Sequence, residues 1–253
     1  MSTILICGDP HGLFSQIIDA VKDRRPDAVI LLGDMECKEP LQIELEEILT
    51  LTEIWWIHGN HDTDTETSYD NLFGSKLADR NLHGRVVEIA GLKIAGLGGV
   101  FRGHVWNPHI YPEPRFENAK KYSAMAGKGN LWRGGLPLKH RSTIFPDDFK
   151  QLQTGKILKD GVDILVTHEA PDLHRHGFKE ITDLANVLSK PNRRLLKAFH
   201  GHHHESIVYE AQERFDGYGV GLREILELDV DSWAVKSIYR ESSYLTHKDP
   251  ADD

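Results

Sequence analysis

Residues 3–12 read TILICGDPHG: a short apolar run that stops at Gly8-Asp9 and is followed at once by a proline. An apolar stretch this short, bounded by turn residues, predicts a buried strand. The same phrase recurs in DAVILLGD (27–34), EIWWIHGNHD (53–62), DILVTHEAP (163–171) and KAFHGHHH (197–204). The first three copies are separated by helical patterns. LFSQIIDAVKDRR places Phe14, Ile17, Ile18 and Val21 on one face, and 40–51 does the same with Leu41, Leu45, Ile48 and Leu49. This βαβαβ order predicts parallel strands in an α/β sheet covered on both faces.

Beyond this core, RVVEIAGLKIAGLGG (85–99) predicts two short strands joined at Ala90-Gly91. Residues 101–141 are rich in Gly, Pro and aromatics without a sustained period and predict a long loop or small cap; unstructured segments of that length are often functional. Helices are expected over 146–159 and 178–190, and antiparallel strands in SIVYEAQ (206–212), REILELDV (223–230) and SWAVKSIYR (232–240). With no internal repeat and no linker composition, 1–253 is expected to be one domain carrying a basic, aromatic-containing insertion at about 101–141.

With 40% hydrophobic and 27% charged residues, the composition is that of an ordinary globular protein. No apolar run reaches membrane-helix length, and the N-terminus lacks the basic region of a signal peptide. Cys7 and Cys37 are the only cysteines and form no CxxC pair, so buried free thiols and a cytoplasmic location are expected. The formal net charge of −9 disfavours nucleic acid as a partner. Within 101–141, however, eight Lys or Arg face two Glu, a local +6 that leaves −15 elsewhere. That asymmetry suits a small anionic substrate, or it is a solvated Lys-rich insertion.

In open α/β sheets, ligands gather outside the carboxyl ends of the strands. Here five such ends carry Asp9, Asp34, Asn60, His168 and a histidine tract. A lone Gly-Asp is usually a turn or a helix cap. Two carboxylates, an amide and several imidazoles converging without a cation would leave polar groups buried at considerable cost. Mixed Asp, Asn and His donors suit Mn, Fe, Zn or Co, with Mn as the first choice, over the all-oxygen shells of Ca and Mg.

The ordered set GDPHG (8–12), GD (33–34), GNHD (59–62), the His of THEAP (167–171) and GHHH (201–204) resembles the calcineurin-like metallophosphoesterases. The resemblance implies an α/β/β/α sandwich of two mixed sheets flanked by helices. It also implies two divalent cations per chain. Asp9, His11 and His204 would bind the first, Asn60, His168 and His202 the second, and Asp34 would bridge them. His61 would lie beside the scissile phosphate as general acid or transition-state stabiliser. The implied reaction is hydrolysis of a small phosphate monoester or diester, of which a nucleotide is one case, by in-line attack of a metal-bound hydroxide. The second motif continues as MECKEP, without the Asp-Arg-Gly of the protein-phosphatase branch, so a polypeptide substrate loses support. A nuclease and a non-catalytic scaffold are the alternatives.

Several side chains have two readings. Arg102 and His104 are candidates to reach a phosphate. Trp106, Tyr111 and Trp132 either stack on a base or pin the insertion to the core, and the core is favoured for most of them. His58, His200, His174 and His176 are read mainly as packing or loop residues. If the 201–204 tract is extended, His202 and His204 face one way and His203 the other.

Overall fold

The computed structural model describes residues 2–190 and 196–241. The N-terminal half follows the predicted order: β1 (Thr3–Cys7), α1 (Ser15–Arg24), β2 (Ala28–Leu31), α2 (Leu41–Glu44) and β3 (Glu53–Trp56). β1 pairs parallel with β2, and β2 with β3. Alternation within these continuous apolar strands serves two cores at once. Ile4, Ile6, Ile30 and Trp55 face the second sheet, while Leu5, Cys7, Val29, Leu31 and Trp56 face α1 through Phe14, Ile17 and Val21.

After α3 (Glu66–Phe73), the chain builds the second sheet from β4 (Arg85–Ile89) and β5 (Leu92–Leu97). Their turn residues, Ala90 and Gly91, both have positive φ, as a tight hairpin with matching twist requires. Within the insertion lies α4 (Ala119–Met125), followed by two 3₁₀ turns at 128–130 and 138–142. Then come α5 (Pro146–Leu152), α6 (Gly155–Asp160), β6 (Ile164–Thr167), α7 (Lys179–Leu188), β7 (Leu196–His200), β8 (Ile207–Val208) and β9 (Phe215–Gly219). The second sheet has the order β4-β5-β6-β7-β9-β8. Ile94, Ile164, Val166 and Phe199 meet the first sheet, whereas Leu97, Leu165, Leu196 and Phe215 pack under α5 and α7. The layers are therefore α/β/β/α with both sheets mixed.

β10 (Ile225–Asp229) and β11 (Val235–Tyr239) return to the first sheet, β10 antiparallel to β1 from Thr3↔Asp229 to Cys7↔Ile225. Among the described residues no helix is long and apolar enough to cross a membrane.

Three sequence expectations need correction. The helix over 40–51 is one α turn followed by a 3₁₀ turn at 46–48; Leu41, Leu45 and Ile48 are all fully buried by that broken path. The helix over 146–159 is two helices, because Thr154 is extended and Gly155 restarts the chain while Ile157 keeps the apolar spacing. β9, in FDGYG, has no counterpart among the expected strands. Two of its three inward positions are Gly217 and Gly219, so no apolar alternation marks it.

Candidate metal centre

The ends of β1, β2, β3, β6 and β7 converge, and backbone hydrogen bonds knit their loops together. His11 N–H donates to the Asp34 carbonyl (2.9 Å) and Gly12 N–H to that of Met35 (2.8 Å). His61 N–H donates to Asp34 Oδ1 (2.8 Å), and His202 N–H to Asp9 Oδ2 (2.9 Å). The loops also need their glycines. A Cβ on Gly59 would collide with Asp34 Oδ1, and one on Gly201 would stand 2.6 Å from Asp9 Oδ1.

His168 is wholly buried, and its Nδ1–H donates to the Leu32 carbonyl (2.8 Å). That bond fixes the tautomer and leaves Nε2 facing Asp34 Oδ2 at 3.3 Å and Asn60 Oδ1 at 3.2 Å. There Nε2 either donates to the two oxygens when the ring is protonated or joins them as a third donor to a cation. Opposite, His11 Nε2 lies 3.0 Å from His204 Nε2 and 4.0 Å from Asp34 Oδ2. Three groups could each hold a cation: His11 with Asp34 and His204, Asp34 with His168 and His202, and Glu169 with His202 and His203. Asp34 belongs to the first two. Asp9 lies beside them, wholly buried, and its Oδ1 has no hydrogen-bond partner.

The electrostatics point the same way. Burial and then the Asp34 charge push Asp9 up to about 7, against the pull of His168. Burial would push His168 down, yet Asp34 and Asp9 together hold it up at about 10. Asp34 is held well below the usual carboxylate range: burial opposes ionisation, but His168, His61 and His11 outweigh it. Buried and close together, these groups thus raise the demand for positive charge at this point. Divalent cations would meet the same demand, so the residues present fit the expected pair of metals.

Four of the grouped residues have left-handed backbones: His11 (φ 43°), Asp34 (51°), His202 (70°) and His204 (55°). Such conformations cost roughly 1–3 kcal/mol each for non-glycine residues and tend to cluster at functional sites. They also correct the picture of an extended 201–204 tract. His202 and His204 share the site because both turn left-handed, not because a strand alternates. His203 departs from them and stacks on His174 at 4.0 Å between ring centroids.

His61 is partly exposed beside His11, with ring centroids 5.5 Å apart. Its Nδ1 pairs with Asp64 Oδ2 at 2.7 Å. Although burial lowers its pKa, Asp34 and Asp64 raise it above the ordinary histidine value. Asp64 was not singled out in the sequence, nor were two other carboxylates. Glu36 Oε2 lies 2.7 Å from His11 Nδ1, so Nε2 points inward. Asp62, fully buried, accepts from Gly59 N–H (2.8 Å) and Glu36 N–H (3.1 Å), joining the second and third loops. Asp64 and Glu36 lie within three residues of a motif, which was the one signal available.

The remaining candidates divide. Arg102 and His104 line a cavity that His202 also lines. Trp106 packs edge-on against Phe101, and Trp132 against Tyr69, so both pin the insertion; Tyr111 is exposed at the cavity. His200 pairs with the Gly201 carbonyl and the Tyr209 hydroxyl, and burial pushes it down to about 4. Burial likewise holds His58 well below the usual range. Cys7 and Cys37 are buried free thiols.

The family profile described as calcineurin-like phosphoesterase matches residues 2–206. A Haemophilus influenzae protein described as uncharacterized is 40% identical over 226 residues, covering 89% of this chain and 94% of that one. Among solved structures, a hypothetical protein from Thermus thermophilus superposes with a TM-score of 0.52 at 13% identity, over 93% of this chain and 97% of the other. A 5′-nucleotidase from Candida albicans superposes with a TM-score of 0.51 at 12% identity, over 89% of this chain but 46% of its own. At such identities the structural likeness is one of fold.

Proposed function

Because the chain belongs to the calcineurin-like phosphoesterase family, we propose that it is a metal-dependent hydrolase of small phosphate monoesters or diesters. The observation that carries this reading is Asp34, shared by two groups of donors and flanked by the partnerless Oδ1 of buried Asp9. Asp9, His11 and His204 would hold one cation, Asn60, His168 and His202 the other, with Asp34 between. The nitrogen and oxygen donors suit Mn, Fe, Zn or Co, Mn first. A pair of such cations supplies a nucleophilic oxygen at neutral pH and neutralises the phosphoryl oxygens.

The chain's own residues do the rest. Glu36 and the Leu32 carbonyl fix the tautomers of His11 and His168, so that Nε2 of each faces inward. Asp64 holds His61 through Nδ1. Nε2 of His61 is then the proton-bearing nitrogen offered to the departing oxygen, a role worth roughly 10²–10⁴ in rate. The whole chain is read as one unit capped by 101–141, and buried thiols suit a reducing cytoplasm.

Mn²⁺-reconstituted protein should hydrolyse p-nitrophenyl phosphate or bis(p-nitrophenyl) phosphate. His61→Ala should keep its metal and lose at least about a hundredfold in kcat. Wild-type protein that binds metal yet cleaves no member of a broad phosphoester panel would overturn the reading.

A further inference from the structure

The cavity beside His202 has a volume of about 700 Å³ and is lined by Arg102, His104, Arg115, Lys139 and His140, with Glu169 at its floor. A second cavity of about 580 Å³ shares His104, Arg115, Lys139 and His140 with the first. It continues between Phe116, Tyr122, Met125 and Pro137. The four shared residues form a basic waist between His202, a candidate metal ligand on the first cavity, and the aromatic side chains of the second.

The waist is positive and available. Among the described residues neither Arg115 nor Lys139 forms an ion pair, whereas Arg133 and Lys121 of the same insertion are paired with Asp70 and Glu117. Among the described residues Glu169 is the only carboxylate lining either cavity; it is 3% exposed, and its Oε1 accepts from Phe101 N–H. Burial, and then Arg102, His104 and Lys139, push His140 down to about 4. The waist is also built: Arg115 N–H donates to the carbonyl of fully buried Val105 (2.8 Å). Lys139 lies on the 3₁₀ turn at 138–142, and its carbonyl accepts from Ser142 Oγ–H (3.3 Å). Beyond it, Tyr122 packs on His140 at 4.6 Å and on Phe116 at 5.0 Å, leaving an aromatic wall.

We infer that the substrate is a nucleoside bisphosphate or a close relative: the reacting phosphate at the metal centre, a second phosphate at Arg115 and Lys139, and the base against Phe116 and Tyr122. Charge-assisted contacts suit the second phosphate, and a ring-lined compartment suits a flat base. The reaction balances as hydrolysis. Water oxygen forms the new bond to phosphorus, the ester P–O bond breaks, and a proton passes to the departing ribose oxygen, giving inorganic phosphate and a nucleoside monophosphate. The inference rests on the proposed phosphoesterase reading, and its test separates the two.

Binding to Mn²⁺-loaded His61→Ala protein and turnover by Mn²⁺-loaded wild type should be measured for adenosine 3′,5′-bisphosphate and for both adenosine monophosphates. The bisphosphate should bind at least about tenfold tighter, with a matching gain in kcat/KM. Arg115→Gln combined with Lys139→Gln should abolish that margin. Tyr122→Ala should weaken the bisphosphate while leaving inorganic pyrophosphate binding less affected. Equal binding of mono- and bisphosphates, or a margin that survives the double substitution, would overturn the inference. Hydrolysis of p-nitrophenyl phosphate without a bisphosphate margin would leave the phosphoesterase reading standing. Tight bisphosphate binding without turnover of any phosphoester would overturn both.

Discussion

The second-motif aspartate, Asp34, sits in a left-handed backbone, accepts from His61 N–H and faces His168 Nε2. A carboxylate so placed cannot be exchanged for its amide without removing the charge that both donor groups share. His202→Ala and His204→Ala should each lose about one metal equivalent and most turnover, while His203→Ala, whose ring leans on His174, should retain both metals. Elemental analysis of the three purified variants checks this; a His203 variant as depleted as its neighbours would show that the ligand register is wrong. Gly59→Ala should fold yet lose metal, because a Cβ there occupies the space of Asp34 Oδ1. A substituted chain with full metal content would contradict the close approach. At this scale the strand-end residues were legible because each follows an apolar run and a turn. Their partners were not. Glu36 finds His11 across 25 positions, and no local pattern encodes that pairing.

At the scale of elements, the continuous apolar strands and the hairpin at Ala90-Gly91 were readable, since burial on both faces and positive φ leave compositional marks. The broken helices were not. Apolar spacing persisted across Thr154-Gly155, so periodicity ran through a real break. β9 stayed hidden because its inward positions include two glycines. The C-terminal strands are tied to the site by fully buried Glu224, which accepts from Gly221 N–H (2.8 Å), Ser206 Oγ (2.9 Å), Ser237 Oγ (2.8 Å) and Arg240 Nη2 (2.9 Å). Those bonds hold its pKa below the ordinary value despite burial. A carboxyl depressed on folding stabilises above its unfolded pKa, and that contribution is lost as pH falls through the folded value. Glu224→Ala should therefore destabilise the protein by about 2 kcal/mol or more at neutral pH. The gap between mutant and wild type should shrink in acid. Urea unfolding at several pH values measures it; a gap independent of pH would remove the charge from the explanation.

For the whole molecule, two mixed sheets bring five strand ends from separate parts of the chain to one edge, and buried like charges meet there. Burial raises the pKa of Asp9, and the neighbouring carboxylates raise that of His168. Metal should accordingly stabilise the folded state. At a hundredfold excess over its Kd, each bound Mn²⁺ should contribute about 2.7 kcal/mol, raising Tm by roughly 5–10 °C per ion for a chain of this size. A Tm unchanged by Mn²⁺ or by chelation would argue against a site assembled on folding. The composition of 101–141 set it apart from the strands and helices around it, but its cavities depend on where Arg115, Lys139 and Tyr122 come to rest, which no period records. The most direct test of the whole account is metal stoichiometry by elemental analysis after Mn²⁺ reconstitution and desalting, on wild type and Asp34→Asn. The account predicts about two equivalents per chain in the wild type and a loss of both in the variant. One equivalent or none in the wild type, or two retained by Asp34→Asn, would contradict it.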